Sequence, residues 1–432
     1  MKKVGKIKRV KGSLRVPSDK SVTHRAFFLG ALARGVTRVY EPLLSRDTLA
    51  TLELLRALGT EVRQEDGLVV IKGRNYRFTE PDRVLDAENS GTTARIACGV
   101  LSAQPFFSVL TGDASLRRRP MLRVVEPLRE MGAWIDGREE GNRLPLAVRG
   151  GPLRGIAYFN KRSSAQVKTA LLLAGLRAEG WTEVVEPVLS RDHTERMLQL
   201  FGAKLELVAE ERGHAVKLKG PQELTGSEVY CPADPSSAAF FTALALLAPE
   251  GELLLKDVML NPTRDGFYRK ALEMGGKIEF LNPRELSREP RADLLVRPSG
   301  RLKAVKVEPH EVPALVDELP VLAVMMALAE GVSVVRGAKE LRYKESDRIK
   351  TIVENLRSMG VEVEEFEDGF AVKGTDRLKG ALIKTHGDHR IAMAFAVAGL
   401  LTDEEVIIDD PSCVEVSYPG FWEDLAKVVE LA

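Results

Sequence analysis

Met131-Gly132-Ala133-Trp134-Ile135 carries a pattern that returns four more times along the chain, starting at Leu58, Phe201, Met274 and Met359. In each copy a helical stretch ends on an apolar residue, a glycine and a mostly small residue follow, and a short strand begins. We expect each glycine to end its helix in a left-handed conformation, which glycine adopts without steric penalty.

A second type of helix, rich in Ala, Leu and Met, is predicted between these copies. An apolar composition on all faces is typical of a buried helix, and a polar cluster that could cap it precedes each example. Six such helices are expected, opening near Ser18, Asn89, Ser163, Asp234, Asp317 and Asp388.

The strand patterns complete the predicted architecture. Alternating or apolar segments indicate sheet strands at Gly67–Lys72, Ala215–Lys219, Ala292–Arg297 and Gly369–Lys373. Together the elements predict an α/β (α+β) fold of about six units, each roughly 70 residues long, with helices inside and sheets outside. A chain of 432 residues exceeds one hydrophobic core, so we expect two domains with a boundary near residue 230. A repeat scaffold that only binds a partner is the alternative.

The composition excludes several classes of protein. The 63 basic and 62 acidic residues leave a net charge of +1, which gives no general attraction to nucleic acid or membranes. The basic N-terminus lacks the apolar stretch of a secretory signal, and runs such as Ala238–Ala248 are too short to span a bilayer, so a cytoplasmic location is expected. Cys98, Cys231 and Cys413 form no CxxC pair and are interpreted as small core residues.

Basic and hydroxyl residues collect where the buried helices open, and helix N-termini attract anions. In the segment 18–25, Ser21 and Arg25 are four residues apart and share a helix face, with Lys20 beside them. The segment 89–95 offers Gly91 for close backbone approach, followed by hydroxyls that suit phosphate. The alternative for either segment alone is an ordinary helix cap.

Arginine-bearing segments strengthen the prediction of an anionic ligand, because guanidinium groups bind carboxylate and phosphate oxygens in pairs. These segments are 117–120, 344–348 and 388–390. Lys344 and Arg348 are i,i+4 and are expected on one side of a helix or turn. The alternative is an ion pair with Glu345 or Asp347.

Nucleotide and metal sites are not predicted. The sequence has neither a G-x-x-x-x-G-K-[ST] loop nor a G-x-G, which disfavours ATPases and Rossmann dehydrogenases. His386 and His389 lie close together, but no further Cys or His ligand accompanies them.

Seven segments, spread over the whole chain and in the same order, resemble the EPSP synthase family. They are SDKSVTHR (18–25), NSGTTAR (89–95), GDASLRRRPM (112–121), SAQVK (164–168), LVDELP (315–320), RYKESDR (342–348) and GDHRIAM (387–393). The resemblance implies an inside-out α/β prism of two similar domains, each with three β-α-β-α-β-β repeats. It implies domains at 19–233 and at 1–18 plus 234–432, with the active site in the cleft between them.

The resemblance also implies an activity. Family members transfer the enolpyruvyl group of phosphoenolpyruvate to the 5-hydroxyl of shikimate 3-phosphate and release phosphate, a step of the shikimate pathway to aromatic amino acids. No metal or organic cofactor is implied, and the enzyme is expected to be a monomer that binds neither nucleic acid nor membranes. Glyphosate is expected to compete with phosphoenolpyruvate.

The site residues follow from the same resemblance, position by position. The implied contacts to shikimate 3-phosphate are Lys20, Ser21, Arg25, Ser164, Gln166, Asp317 and Lys344, with Ser190 as a further phosphate contact. The implied contacts to phosphoenolpyruvate are Lys20, Gly91, Arg119, Gln166, Arg348 and Arg390. Two positions depart from the better-known branch of the family. His193 stands where an aromatic contact is expected, and the lysine expected near Val416 is absent.

Paired carboxylates suit a reaction that needs both a base and an acid. Asp317 is the predicted base for the 5-hydroxyl, and Glu345, assisted by Lys20, is the predicted acid for the methylene carbon. The alternatives are a helix N-cap for Asp317 and an ion-pair partner of Lys344 or Arg348 for Glu345.

Two rival functions are the alternatives to this one. The sister enzyme acting on UDP-N-acetylglucosamine shares the fold but typically carries a cysteine in the loop Gly112–Pro120, and this loop has none. A catalytically silent anion-binding scaffold is the other rival, and the presence of both Asp317 and Glu345 among intact arginines argues against it.

Overall fold

The structure, a computed structural model, describes residues 1–432. Its α-helices are α1 (Lys20–Leu32), α2 (Arg46–Ala57), α3 (Gly91–Ser102), α4 (Leu122–Glu130), α5 (Arg138–Gly141), α6 (Ala165–Gly175), α7 (His193–Leu200), α8 (Pro235–Leu247), α9 (Gly266–Glu273), α10 (Leu319–Ala327), α11 (Arg348–Ser358), α12 (His389–Leu400) and α13 (Phe421–Val428). Short 3-10 helices span Leu116–Arg118, Val312–Ala314, Val316–Glu318, Lys339–Tyr343 and Pro411–Val416. No helix is long and apolar enough to cross a membrane.

The strands are β1 (Lys2–Val4), β2 (Ile7–Val10), β3 (Ser13–Leu14), β4 (Val36–Tyr40), β5 (Glu61–Glu65), β6 (Leu68–Lys72), β7 (Leu85–Asp86), β8 (Phe107–Thr111), β9 (Trp134–Gly137), β10 (Arg143–Arg149), β11 (Ala157–Phe159), β12 (Gly180–Glu186), β13 (Glu206–Glu210), β14 (Gly213–Gly220), β15 (Glu228–Tyr230), β16 (Leu253–Met259), β17 (Lys277–Leu286), β18 (Glu289–Arg297), β19 (Lys306–Val307), β20 (Val332–Val335), β21 (Glu362–Phe366), β22 (Gly369–Lys373), β23 (Ala381–Ile383), β24 (Val406–Ile408) and β25 (Val429–Leu431). The four strand segments predicted from the sequence fall within or overlap β6, β14, β18 and β22.

The chain divides into two compact units. The first unit contains Ser18–Cys231 and Leu286–Glu289, and the second unit contains Met1–Pro17, Pro232–Glu285 and Pro290–Ala432.

The first unit contains three four-stranded sheets with one common pattern. Their strand orders are β7-β8-β10-β9, β11-β12-β14-β13 and β15-β4-β6-β5. In each sheet the first strand runs parallel to the second, and the third runs antiparallel to both of its neighbours. Buried and less buried residues alternate along β10, as expected for a strand with one face against the core.

The second unit repeats this pairing in full in one sheet, in which β19 runs parallel to β20 and β22 runs antiparallel to both β20 and β21. Its sheets have the orders β17-β18-β16-β3, β19-β20-β22-β21 and β1-β24-β23, and β2 pairs with β25. A continuous apolar core formed by α8, α10, α12 and the inner faces of these sheets fills the unit. Every residue of α10 and α12 is buried, which accounts for helices with almost no polar residues after the first turn.

The repeated glycine motif ends five helices in the predicted way. Gly59, Gly132, Gly202, Gly275 and Gly360 all have positive φ, between 80° and 112°. In each copy the glycine amide bonds to the carbonyl three residues earlier, and the next amide bonds to the carbonyl five residues before it. These are the two bonds of a Schellman motif, and they satisfy carbonyls that the helix end would leave unpaired. The prediction of left-handed glycine caps is confirmed.

The six apolar helices begin within about two residues of the predicted openings. In five of them the side chain of the N-cap residue accepts a hydrogen bond from a backbone amide of the first turn. These N-cap residues are Asp19, Ser90, Ser164, Asp234 and Asp388. The sixth, α10, differs. Asp317 lies in a 3-10 helix, and α10 begins after Glu318, which makes no capping bond. The interpretation of Asp317 as a helix N-cap is therefore wrong.

Close helix packing in the first unit depends on Gly99 of α3. A Cβ atom at this position would lie 2.3 Å from the carbonyl oxygen of Ala170 on α6. The backbones of α3 and α6 can approach this closely only because glycine has no side chain. The same two helices carry Gly91 and Ser164 at their N-terminal ends.

Candidate active site

Lys20 begins α1 and is held by an ion pair. Asp19 caps the helix by accepting the Val22 amide at 2.7 Å. Lys20 Nζ lies 2.9 Å from Asp47 Oδ2, and both side chains are largely buried. The ammonium is therefore fixed at the N-terminal end of α1, where the helix dipole also favours an anionic ligand.

Ser21 and Arg25 share one face of α1, as the sequence predicts. Arg25 Nη1 donates to the Ser21 carbonyl at 3.0 Å. The same guanidinium donates to Thr194 Oγ1 at 2.7 Å and to Thr169 Oγ1 at 3.0 Å. Ser21 Oγ accepts a hydrogen bond from Arg191 Nη1 at 3.0 Å. Arg25 of α1 and Arg191, from the segment before α7, thus both donate hydrogen bonds to Ser21.

A second cluster surrounds Gly91, the first residue of α3. A Cβ atom on Gly91 would lie 2.8 Å from Arg95 Nη1 and 3.3 Å from Arg119 Nη1. Arg95 Nη1 donates to Gln166 Oε1 at 2.7 Å, and Gln166 Nε2 donates to Thr92 Oγ1 at 3.1 Å. The structure therefore brings together Gly91, Arg119 and Gln166, which the family resemblance implies are all contacts of phosphoenolpyruvate.

Ser164 and Ser190 contact a common network in the first unit. Ser164 caps α6, and Ser190 Oγ donates to Glu186 Oε1 at 2.7 Å. Asn160 Nδ2 donates to the Ser164 carbonyl at 2.9 Å and to Glu186 Oε1 at 3.0 Å. Ser164 and Ser190, two predicted contacts of shikimate 3-phosphate, are thereby joined through buried side chains.

In the second unit, three carboxylates surround the guanidinium of Arg348, which is 1 % exposed. Arg348 donates two hydrogen bonds to Asp388, from Nε at 2.8 Å and from Nη2 at 3.2 Å. Its Nη2 also donates to Glu345 at 2.7 Å, and its Nη1 donates to Asp317 at 3.3 Å. Burial acts to lower the pKa of Arg348, but the carboxylates of Asp388 and Glu345 outweigh it and raise that pKa. A guanidinium has five N–H donors, so one N–H of Nη1 is left for a ligand.

Lys344 approaches the same carboxylate from a different segment. Its Nζ lies 3.6 Å from Asp317 Oδ1, and a quarter of its side chain is exposed. Burial lowers the pKa of Lys344, and the nearby Asp317 carboxylate offsets only part of this effect. Lys344 follows a 3-10 helix in an extended conformation, whereas Arg348 begins α11. The expectation that i,i+4 spacing places them on one helix or turn is wrong, although both contact Asp317.

Arg390 is the contrasting arginine of the second unit. It lies in the first turn of α12, its backbone amide donates to Asp388 Oδ1 at 3.0 Å, and the residue is 5 % exposed. No hydrogen bond or ion pair engages its guanidinium. A buried cation without a partner is costly, so an anionic ligand is its natural counterion.

Comparison with known proteins gives the family. The EPSP synthase (3-phosphoshikimate 1-carboxyvinyltransferase) family model matches residues 4–425. A 3-phosphoshikimate 1-carboxyvinyltransferase from Aquifex aeolicus is 74% identical over 430 residues, covering 100% of both chains. The chain belongs to the EPSP synthase family.

Other members of the EPSP synthase family agree over the same length. A 3-phosphoshikimate 1-carboxyvinyltransferase from Persephonella marina is 52% identical over 429 residues, covering 99% of each chain. A solved EPSP synthase from Acinetobacter baumannii superposes with a TM-score of 0.87 at 40% identity, covering 100% of this chain and 99% of that one. The mixed α/β fold is therefore the fold of an EPSP synthase.

Of the two positions that depart from the better-known EPSP synthases, His193 is buried and Val416 is half-buried. His193 is fully buried, and its Nδ1 lies 2.6 Å from Glu289 Oε1. Val416, near which the lysine was expected, ends the 3-10 helix Pro411–Val416, and the nearby Tyr418 is buried and donates to Asp424 Oδ2 at 3.0 Å. This segment contributes Cys413, Val414 and Tyr418 to the core of the second unit.

Several polar residues of the candidate site were missed by sequence reasoning. They are Asp47, Arg95, Asn160, Lys168, Glu186, Arg191 and Asp388, whose partners are the predicted residues or each other. Of these residues, Lys168 could have been recognised from the sequence. It is a lone charge within the apolar helix α6 and is fully buried, and a buried ammonium requires a carboxylate partner.

Proposed function

We propose that this chain transfers the enolpyruvyl group of phosphoenolpyruvate to the 5-hydroxyl of shikimate 3-phosphate, the reaction of its family. The observation that carries the proposal is the bridging of Asp317 and Glu345 by Arg348, at 3.3 Å and 2.7 Å. The reaction needs a proton acceptor and a proton donor, and two carboxylates in fixed positions can supply both.

The proposed reaction has two stages. Asp317 removes the proton of the 5-hydroxyl, whose oxygen then attacks C2 of phosphoenolpyruvate, while Glu345, assisted by Lys20, protonates the methylene carbon. The resulting tetrahedral intermediate loses phosphate as the bond between C2 and the phosphate oxygen breaks, and the methyl carbon returns a proton to Glu345. Arginine and lysine side chains stabilise the charge that develops on the phosphate and carboxylate oxygens.

The proposed shikimate 3-phosphate contacts are Lys20, Ser21, Arg25, Ser164, Gln166, Ser190, Asp317 and Lys344. The proposed phosphoenolpyruvate contacts are Lys20, Gly91, Arg119, Gln166, Arg348 and Arg390. The cluster of Gly91, Arg119 and Gln166 supports the second set, as does the unpaired guanidinium of Arg390. Each unit supplies part of each set, so we propose that both units contribute to one active site in an interdomain cleft.

We also propose the finer architecture implied by the family resemblance. Each domain would be three β-α-β-α-β-β repeats, with domains at 19–233 and at 1–18 plus 234–432, and with the helices inside a prism of sheets. The common strand pattern of the sheets and the burial of the six apolar helices support this arrangement.

The proposed enzyme is a cytoplasmic monomer that acts without a metal or organic cofactor and binds neither nucleic acid nor membranes. The balance of 63 basic and 62 acidic residues supports the last two points, because it provides no excess charge for polyanionic surfaces.

Phosphate release from shikimate 3-phosphate and phosphoenolpyruvate together, with each substrate alone as the control, tests the proposed function. We expect release only with both substrates. Release with UDP-N-acetylglucosamine in place of shikimate 3-phosphate would favour the sister enzyme. If the protein bound shikimate 3-phosphate and phosphoenolpyruvate but released phosphate with neither acceptor, the silent scaffold would be favoured.

A further inference from the structure

A buried carboxylate, Glu186, connects the two serine-bearing segments of the first unit. Glu186 ends β12 and is 1 % exposed. Its Oε1 accepts hydrogen bonds from Ser190 Oγ at 2.7 Å and Asn160 Nδ2 at 3.0 Å. Its Oε2 accepts hydrogen bonds from Lys168 Nζ at 3.0 Å and the Ser190 amide at 3.1 Å. Away from water, four such bonds hold their donors strongly.

Asn160 extends this network to Ser164. Its Nδ2 donates to the Ser164 carbonyl at 2.9 Å, and its Oδ1 accepts from the Ser164 amide at 3.3 Å. The backbone at the N-cap of α6 is thus tied to the same carboxylate that holds Ser190. Two segments from different parts of the chain are fixed relative to each other by Glu186.

Lys168 balances the charge that this arrangement buries. Its Nζ is fully buried and lies 3.0 Å from Glu186 and 2.7 Å from Glu195 Oε1. Burial acts to lower the pKa of Lys168, but the two carboxylates outweigh it and raise that pKa, so the lysine is charged. Glu195 contacts Lys168 but neither of the two serines nor Asn160. The ammonium reduces the repulsion that an uncompensated Glu186 would exert on a phosphate group.

We propose that Glu186 is a positioning residue for phosphate recognition by this enzyme, acting through Ser190 and through Asn160 on Ser164. The inference rests on the proposed function, because the two serines bind substrate phosphate only if shikimate 3-phosphate is the acceptor. Glu186 holds both segments before the ligand arrives, which removes an ordering cost from binding.

The hydrogen-bond directions are consistent with positioning rather than direct contact. A serine hydroxyl has one proton, and the Ser190 proton is donated to Glu186 in the structure. When a phosphate oxygen takes that proton, the Ser190 amide still donates to Glu186 Oε2, so the segment stays in place.

Steady-state kinetics of Glu186→Gln tests the proposal. The side-chain amide of the new glutamine would place its own N–H donors opposite the donor groups of Lys168 and Ser190. We expect KM for shikimate 3-phosphate to rise about tenfold or more, the loss typical of hydrogen bonds to a charged group. We expect kcat and KM for phosphoenolpyruvate to change less than about threefold, because a remote phosphate is bound equally in the ground and transition states. A purely structural defect would reduce the active fraction and leave both KM values unchanged.

Glu195→Gln is the matched control, because it removes a buried carboxylate from the same lysine without touching either serine. It is expected to lower thermal stability while KM for shikimate 3-phosphate stays within about twofold of wild type. An equal rise in KM for Glu195→Gln and Glu186→Gln would overturn the specific role of Glu186.

Asn160→Ala tests the inference if Glu186→Gln fails to fold, since it removes a neutral side chain and keeps the ion pairs. It should raise KM for shikimate 3-phosphate and weaken calorimetric binding of that compound. Normal values for Asn160→Ala and for any folded Glu186→Gln, with wild-type turnover intact, would overturn this inference alone. Absence of turnover in wild type would instead overturn the proposed function.

Discussion

Arg348 Nη1 lies 3.3 Å from Asp317 Oδ1 in the second unit, and the same guanidinium donates to Glu345. Arg348 is charged throughout the pH range in which a protein stays folded, so it attracts both carboxylates without competing for their protons. Two of its three remaining donors are fixed by Asp388, the N-cap of α12. The predicted base and acid are therefore positioned by one residue whose own geometry is set by a helix terminus.

Asp317→Asn should lower kcat strongly and change KM only modestly. The amide cannot accept the 5-hydroxyl proton, whereas it keeps the shape of the side chain and one oxygen toward Arg348. General-base catalysis typically contributes about a hundredfold to ten-thousandfold in rate. The measurement is steady-state phosphate release with both substrates varied, and near-normal turnover would remove Asp317 from the catalytic role.

Glu318→Gln is the matched control for that measurement. Glu318 is the adjacent carboxylate, but it accepts a hydrogen bond from Ser236 Oγ inside the second unit. We expect its substitution to affect stability more than kcat. A kcat loss as large as that of Asp317→Asn would show that burial of charge in this region, and not one base, controls the rate.

The glycine caps give a prediction about stability. Gly202 and Gly275 have φ of 88° and 95°, and nothing lies within 4 Å of an added Cβ at either position. Alanine at either position would therefore cause no steric clash, but its left-handed backbone conformation would cost about 1–2 kcal/mol. Gly202→Ala and Gly275→Ala should each lower the free energy of unfolding by about that amount, as measured by chemical denaturation.

Gly151→Ala is the control for the two caps. An added Cβ at Gly151 also meets open space, and its φ is not in the left-handed region. Its unfolding free energy should stay within about 0.5 kcal/mol of wild type. If all three variants were equally stable, the helix ends would not require glycine.

Local features explain how much of the fold could be predicted from the sequence. A left-handed glycine after an apolar residue and a polar cap before an Ala-rich helix are each determined by a few neighbouring residues. Asp317 shows where this reasoning fails, because a 3-10 helix delays the start of α10 by two residues. The prediction that Lys344 and Arg348 share one helix or turn failed for the same reason, because a helix boundary falls between them.

The missed site residues depend on contacts between distant parts of the chain. Arg95 bonds to Gln166 across 71 positions, and Arg191 bonds to Ser21 across 170. No short pattern specifies such pairs, because sheet pairing and helix packing bring them together. The resemblance to EPSP synthases implied a set of substrate contacts, which remain proposals, but it did not imply the buried partners that hold those residues.

His24 predicts a pH dependence of stability. It is fully buried in α1, its Nδ1 lies 2.8 Å from Thr51 Oγ1, and its Nε2 has no partner. Burial, with Lys20 and Arg25 nearby, lowers the pKa of His24 well below its usual value of 6.5. The unfolded chain therefore binds a proton below about pH 6.5 that the folded protein does not bind, and stability falls as the pH decreases.

His24→Gln removes this titration. We expect the wild-type unfolding free energy to decrease relative to that of the variant by up to about 1.4 kcal/mol per pH unit below pH 6.5. Carboxylates titrate in both proteins, so their effects cancel in the difference. Denaturation curves from pH 8 to pH 5 provide the measurement, and a constant difference over that range would mean that His24 titrates normally.

Gly91 allows a prediction about inhibition by glyphosate. Gly91 has helical backbone geometry at the start of α3, so alanine is conformationally tolerated there, and a role only as a tight turn is not supported. The added Cβ would instead lie 2.8 Å from Arg95 Nη1 and 3.3 Å from Arg119 Nη1. Arg95 has little freedom to move, because it donates to Gln166 Oε1 at 2.7 Å and to the Pro120 carbonyl at 3.1 Å.

We therefore expect the wild-type enzyme to be glyphosate-sensitive and Gly91→Ala to lose more affinity for glyphosate than for phosphoenolpyruvate. Glyphosate needs slightly more room beside the glycine, and overpacking costs about 1–3 kcal/mol, which corresponds to roughly tenfold to over a hundredfold in affinity. The inhibition constant and KM for phosphoenolpyruvate are measured for wild type, Gly91→Ala and the control Gly151→Ala, whose added Cβ meets open space. Equal losses for both ligands in Gly91→Ala, or a wild-type enzyme indifferent to glyphosate, would show that Gly91 does not line the phosphoenolpyruvate site.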